Sequence, residues 1–181
     1  TWMADQSPVI SLEINDDARA YPLAVMTWHE IANDVVGGEP VAVTFCPLCN
    51  SSIVFDRVME LNGEEVTLRM GVSGLLRNSD LVMWDDVTES WWQQLTGEGI
   101  VGDYTGEQLT ILPSRLFGFE FFVEQYPDGE VLSIPTNVQR DYGFTPYAGF
   151  DTGNYVIPEG EVLPLTERVL AGVVGDQPIA Y

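Results

Sequence analysis

Lysine is absent from this chain: all seven basic residues are arginine, set against 28 acidic ones, for a formal net charge of −21. A surface of that sign repels a polyphosphate backbone and anionic lipid, so nucleic acid is excluded as a partner. It keeps a protein dissolved at high salt, where self-repulsion is screened, and points to a saline or extracellular setting. Cysteine is almost as scarce. Cys46 and Cys49 cannot staple a core of this size; they can form a local disulfide, hold a metal or act as a thiol pair. There is a single histidine, His29. No apolar run approaches the roughly 20 residues that span a bilayer, so no membrane insertion is expected of this chain. No basic n-region with an apolar h-region opens it, so any export signal is expected to have been removed or to lie outside this chain.

What is present suits a folded domain. Hydrophobic residues make up 45% of 181, and turn signals separate short runs rich in β-branched and aromatic residues. The fold class expected is α+β and β-dominated, with antiparallel strands and hairpins and two helices. Residues 9–14 and 18–21 read as two strands around the turn Asn15-Asp16-Asp17. Pro22 suits a first helical turn, and Val25, Trp28, Ala32 and Val35 recur at helical spacing. That pattern predicts a helix over 23–35, stopped by Gly37-Gly38. Residues 41–45 and 52–58 read as strands into and out of the cysteine turn. Asn62-Gly63 marks a hairpin leading to a strand over 66–72, and strands are also expected at 81–84, 90–95 and 131–134. Ser114 caps a predicted helix over 115–126, closed by Pro127-Asp128-Gly129. Residues 136–155, aromatic and glycine-rich, read as a long ordered loop.

One echo runs through the chain. Residues 9–14 with 16–21 are mirrored by 169–174 with 176–181, both ending in Ala-Tyr. The organisation expected is one β-rich domain, residues 1–167, carrying the cysteine site. A terminal hairpin, residues 168–181, would then begin a second repeat.

The chemistry concentrates at Cys46-Pro-Leu-Cys49-Asn50. In a Cys-x-x-Cys turn both sulfurs can face one ion, proline pre-sets the turn, and asparagine tolerates the positive φ that often follows. A thioredoxin-like pair would instead open a helix, whereas residues 52–55 look extended. With His29 the cysteines make three ligands and leave a fourth position open, which suits catalytic zinc or copper(I). Glu30, Met70 and Met83 are weaker candidates for the fourth. A plain Cys46–Cys49 disulfide, a thiol redox pair and inert thiols remain open beside the metal. So does a cysteine nucleophile activated by His29, with Asn33 or Asp34 orienting the imidazole. Ser73, Arg77, Asn78, Gln94 and Thr96 can line a polar pocket, and equally serve as turn and edge residues.

The motifs Ala20-Tyr-Pro-Leu23, Trp28-His-Glu-Ile31, Asn33-Asp34, Val36-Gly-Gly38, Cys46-Pro-Leu-Cys49, Gly71-Val-Ser-Gly-Leu-Leu76 and Trp92-x-Gln-Leu-Thr-Gly97 resemble those of the prokaryotic domain-of-unknown-function family 3179. The similarity runs over most of residues 8–181. The chain departs from it at Asn50, where the family usually has glycine. The resemblance implies an exported protein or lipoprotein with a duplicated domain, and it adds weight to His29, Cys46 and Cys49 together. It supplies no reaction.

Two functional expectations follow. One is an exported acidic domain that binds copper or zinc, or runs thiol redox chemistry, through His29, Cys46 and Cys49. The other is an extracellular structural or assembly domain, a surface-layer or filament subunit, with a local Cys46–Cys49 disulfide. Its homo-oligomer or filament neighbour would be engaged by strand addition through residues 168–181. Both place the protein outside the cytoplasm.

Overall fold

The computed structural model describes residues 2–147, with the backbone of residues 171–174 and 177–180. The expected β-dominated class with two helices is what it shows. In chain order the elements are β1 (Pro8–Ile14), β2 (Asp17–Pro22), α1 (Leu23–His29), β3 (Ile31–Val36), β4 (Glu39–Cys46), β5 (Ser51–Asp56), β6 (Val58–Leu61), β7 (Glu64–Thr67) and β8 (Met70–Arg77). They continue with β9 (Asp80–Asp85), β10 (Trp91–Gln93), β11 (Gly99–Val101), β12 (Ile111–Leu112), β13 (Arg115–Gly118), α2 (Phe119–Gln125), β14 (Glu130–Val131), β15 (Ala171–Val174) and β16 (Gln177–Ala180). Three four-stranded sheets run β13-β1-β2-β14, β12-β5-β4-β3 and β11-β10-β9-β8, beside the two-stranded pairs β6-β7 and β15-β16. Every pairing is antiparallel except β14 on β2.

Two-residue turns with positive φ build the hairpins. Asn15-Asp16, Gly37-Gly38, Asn62-Gly63 and Asn78-Ser79 all place both residues in the left-handed region, as a type I′ turn requires. Gly37-Gly38 is thus a hairpin turn between β3 and β4, not the stop of a helix. The helix predicted over 23–35 ends at His29. Glu30 takes φ 61°, and residues 31–36 pair with β4 instead. Their apolar spacing fits a helix as well as a strand, and the ladder to β4 decides between them. The helix predicted over 115–126 is likewise shorter: Arg115–Gly118 adds to β1, and Gly118, not Ser114, is the N-cap of α2. The predicted strand over 66–72 divides into β7 and β8, and that over 131–134 shortens to β14.

β4 organises the interior. Its residues alternate between two faces, as strand geometry dictates, and both faces are buried. Val41, Val43 and Phe45 join Ile10, Leu12, Tyr21, Met26 and Val54 in one apolar cluster. Ala42 and Cys46 join Phe55, Leu68, Met70, Leu81, Met83 and Trp92 in another. The sheet containing β4 is therefore the middle layer, and Cys46 ends its central strand facing the β8–β11 sheet. A third cluster, Val9, Ala18, Ala20, Phe119 and Phe122, seats α2 on the far side of β1 and β2. Each fully buried large side chain contributes roughly 1.5–3 kcal/mol.

Candidate metal centre

The turn between β4 and β5 presents Cys46 and Cys49. Cys46 closes the ladder opposite Ser51, and the chain then turns through Pro47-Leu48. Asn50 follows with φ 50°, a conformation asparagine bears better than most residues. Both cysteines are free; Cys46 is buried and Cys49 reaches the surface. Against them stands Asp80, the first residue of β9, delivered by the Asn78-Ser79 turn. The Cys49 Sγ lies 3.0 Å from its Oδ1. One sulfur of each cysteine and a carboxylate oxygen of Asp80 all lie within 4.8 Å of one another.

The surroundings fix these groups from behind. Asp80 Oδ2 accepts the Gln93 side-chain amide and the Leu95 backbone N–H. Ser51 Oγ sits 3.2 Å from the Cys49 Sγ and donates to Gln94 Oε1 at 2.8 Å. Gln94, fully buried, donates in turn to Thr44 Oγ1 at 2.9 Å. Asp80 is 4% exposed, and among the described residues no arginine forms an ion pair with it. The two thiols divide unequally. The hydrogen bond from Cys49 holds the Cys46 thiol below its ordinary value, with backbone N–H groups of Cys49 and Leu81 adding to it. The same bond, then burial, pushes the Cys49 thiol up.

His29 stands outside this group. It ends α1, and its Nε2 is 2.8 Å from the Tyr142 hydroxyl, with the two rings stacked. Burial, then the Arg140 charge, lowers its pKa. Its neighbours hold the same segment. Trp28 Nε1 donates to the carbonyls of Asp141 and Phe144, and Glu30 accepts the Tyr147 hydroxyl at 2.8 Å. The Trp28-His29-Glu30 motif thus anchors residues 141–147 of the expected long loop, of which residues 136–147 are described. The rest of that loop lies outside the described residues. Asn33 and Asp34 do not orient the imidazole: Asn33 pairs both amide atoms with the Met70 backbone, and Asp34 takes Arg19 and Tyr21. Glu30 is spent on Tyr147, and Met70 and Met83 are core.

The five pocket residues separate. Gln94 supports the cysteine turn from below. Ser73 bonds the Val82 carbonyl at a bulge in β8. Arg77 meets Glu98 across a shallow groove, Asn78 forms the β8–β9 turn, and Thr96 caps the turn between β10 and β11. Asp80 was not singled out by the sequence, because one carboxylate among 28 acidic residues carries no local mark.

Over residues 1–181 the chain matches the family described as Protein of unknown function (DUF3179). No curated protein and no solved structure matches it.

Proposed function

We propose, for a chain that belongs to the DUF3179 family, that it is an extracytoplasmic metal-binding domain whose centre is Cys46, Cys49 and Asp80. One observation carries this reading: a buried carboxylate with no cationic partner among the described residues faces two thiols. Such a carboxylate is costly to bury without a counter-charge, and a cation supplies it. Bonds of about 2.3 Å to sulfur and 2.0–2.2 Å to oxygen put tetrahedral ligand atoms roughly 3.5–3.8 Å apart. The cluster needs only side-chain adjustment to reach that spacing.

The donor set favours zinc over copper(I), because a carboxylate is a hard ligand and copper(I) prefers soft ones. Three protein ligands leave a fourth position for water or a bound molecule, as in zinc sites that do chemistry. A bound zinc supplies Lewis acidity; the Gln93 amide and the Ser51–Gln94–Thr44 chain hold the ligands in place. The acidic, lysine-free surface supports an extracytoplasmic, saline setting.

Thiol redox at the same turn is less well supported. An exchange cysteine is a low-pKa thiolate at the surface, whereas here the lowered thiol is the buried one. The assembly reading has in its favour that β15 and β16, among the described elements, pair only with each other.

The test is elemental mass spectrometry on protein purified without chelator, with thiols counted on the same sample. One zinc per chain is expected, lost in Cys46→Ser and Asp80→Ala and kept in His29→Ala. Metal-free protein with Cys46 and Cys49 oxidised to each other would overturn the reading.

A further inference from the structure

We propose that the outer edge of β8 is a self-association surface, through which two copies of this chain pair antiparallel and join their β8–β11 sheets into one. β8 is an edge strand: its ladder partner is β9, and among the described residues its other side is met only at Met70, by the Asn33 amide. Among the described strands none lies on the outer side of the stretch beyond Met70, where the Leu75 N–H is held by Ser73 Oγ, and such an edge is the arrangement to which another strand adds. Its side chains invite the same event. Val72, Leu75 and Leu76 are exposed, Leu76 at 52%. Val72 and Leu76 stand opposite Met83 and Leu81, while Leu75 stands opposite Val82. Apolar groups thus flank the edge on both faces of the sheet, and an added strand would cover both. Leu75 and Leu76 also line, with Trp91 and Val101, a groove of about 450 Å³ along that sheet.

Charge identifies the occupant as a second copy. At a net charge of −21, two copies repel wherever carboxylates face each other. Residues 66–79 contain none of the 28 acidic residues and two of the seven arginines, so the edge itself adds no carboxylate, and Glu98 in the adjoining groove is met by Arg77 of its own chain. A two-fold axis near Gly74, where β8 bulges, brings Arg77 of each copy to the Gly71 end of the other. There Asp86 is exposed, its carboxylate fixed on the Arg69 backbone N–H, an opposite charge for a guanidinium that within its own chain meets Glu98 at 3.6 Å. Such an isologous contact closes at two copies.

The experiment is sedimentation equilibrium on the whole chain at low and high salt, with hydrogen exchange on the same samples. The wild type is expected to be a dimer that tightens as salt screens the residual repulsion, with slow amides along β8. Leu76→Glu, at an exposed position, is expected to weaken the dimer at least ten-fold and release those amides. Leu75→Glu serves if that variant folds poorly. Val123→Glu, which adds the same charge on the exposed face of α2, should leave the dimer intact. A wild type monomeric at both salts overturns the proposal, as does a dimer indifferent to both leucine substitutions or one equally broken by Val123→Glu.

Discussion

At the scale of single residues, Asp80 does what neither cysteine can do alone. Two thiols on one turn can oxidise, ligate or stay inert; on the proposed function, the carboxylate 3.0 Å from Cys49 weights that choice toward a cation. Asp80→Asn keeps the shape and the acceptor for Gln93 but removes the charge. Zinc affinity, measured by competition with a chromophoric chelator, is expected to fall by more than about ten-fold, the scale seen even for groups that only support a ligand. Asn33 is a structural counterpart. Its amide makes two hydrogen bonds, both 2.8 Å, to the Met70 backbone and ties the middle sheet to β8. Asn33→Ala leaves that backbone short of partners and is expected to cost about 1–3 kcal/mol in urea unfolding.

Among the elements, the turns hold the layers in register. Gly37 sits at φ +56°, and a Cβ there would lie 2.1 Å from the Ile14 carbonyl oxygen, so the β3–β4 turn meets the β1–β2 turn backbone to backbone. Gly37→Ala adds both a strained φ and that clash, and a loss of more than about 1 kcal/mol is expected by thermal unfolding. Asp17 seals the same junction. Its bond from Arg19, then the Gly37 N–H, holds its carboxyl below the ordinary value. A depressed folded pKa stabilises above the unfolded value of about 3.9 and ceases to as pH falls through the lower folded one. Asp17→Ala is therefore expected to cost about 1 kcal/mol near neutrality, with the difference from wild type closing in acid; a gap independent of pH would contradict the latch.

These turns also show what the sequence made legible. Asn62-Gly63 announces its hairpin because only type I′ geometry needs that pair. Gly37-Gly38 is ambiguous: glycine ends helices and turns hairpins alike, and Val25, Trp28, Ala32 and Val35 satisfy a helical period across what proves to be a helix, a positive-φ residue and a strand. The cysteine turn was visible, since spacing along the chain brings its sulfurs together. Its third member was not, because Asp80 arrives through β8 and β9 from 31 residues beyond Cys49, and spacing cannot encode that.

For the whole molecule, charge sets the stability, and a metal bound at the proposed centre would add to it. With 28 carboxylates and no lysine, the folded chain carries a self-repulsion that salt relieves, so the melting temperature is expected to rise with sodium chloride. On the proposed function, zinc would add to this by mass action: at a hundred times the dissociation constant it would stabilise by about 2.7 kcal/mol. Chelator should reverse that gain in the wild type and do nothing in Cys46→Ser. The same carboxylates can collect ions loosely across the surface, so bound metal alone does not identify the centre. The coordination shell does. X-ray absorption at the zinc edge of stoichiometrically loaded protein should show two sulfur ligands at about 2.3 Å with the remaining shell of oxygen near 2.0–2.2 Å. A shell of oxygen and nitrogen without sulfur would mean that the metal sits on surface carboxylates and that Cys46, Cys49 and Asp80 are not its site.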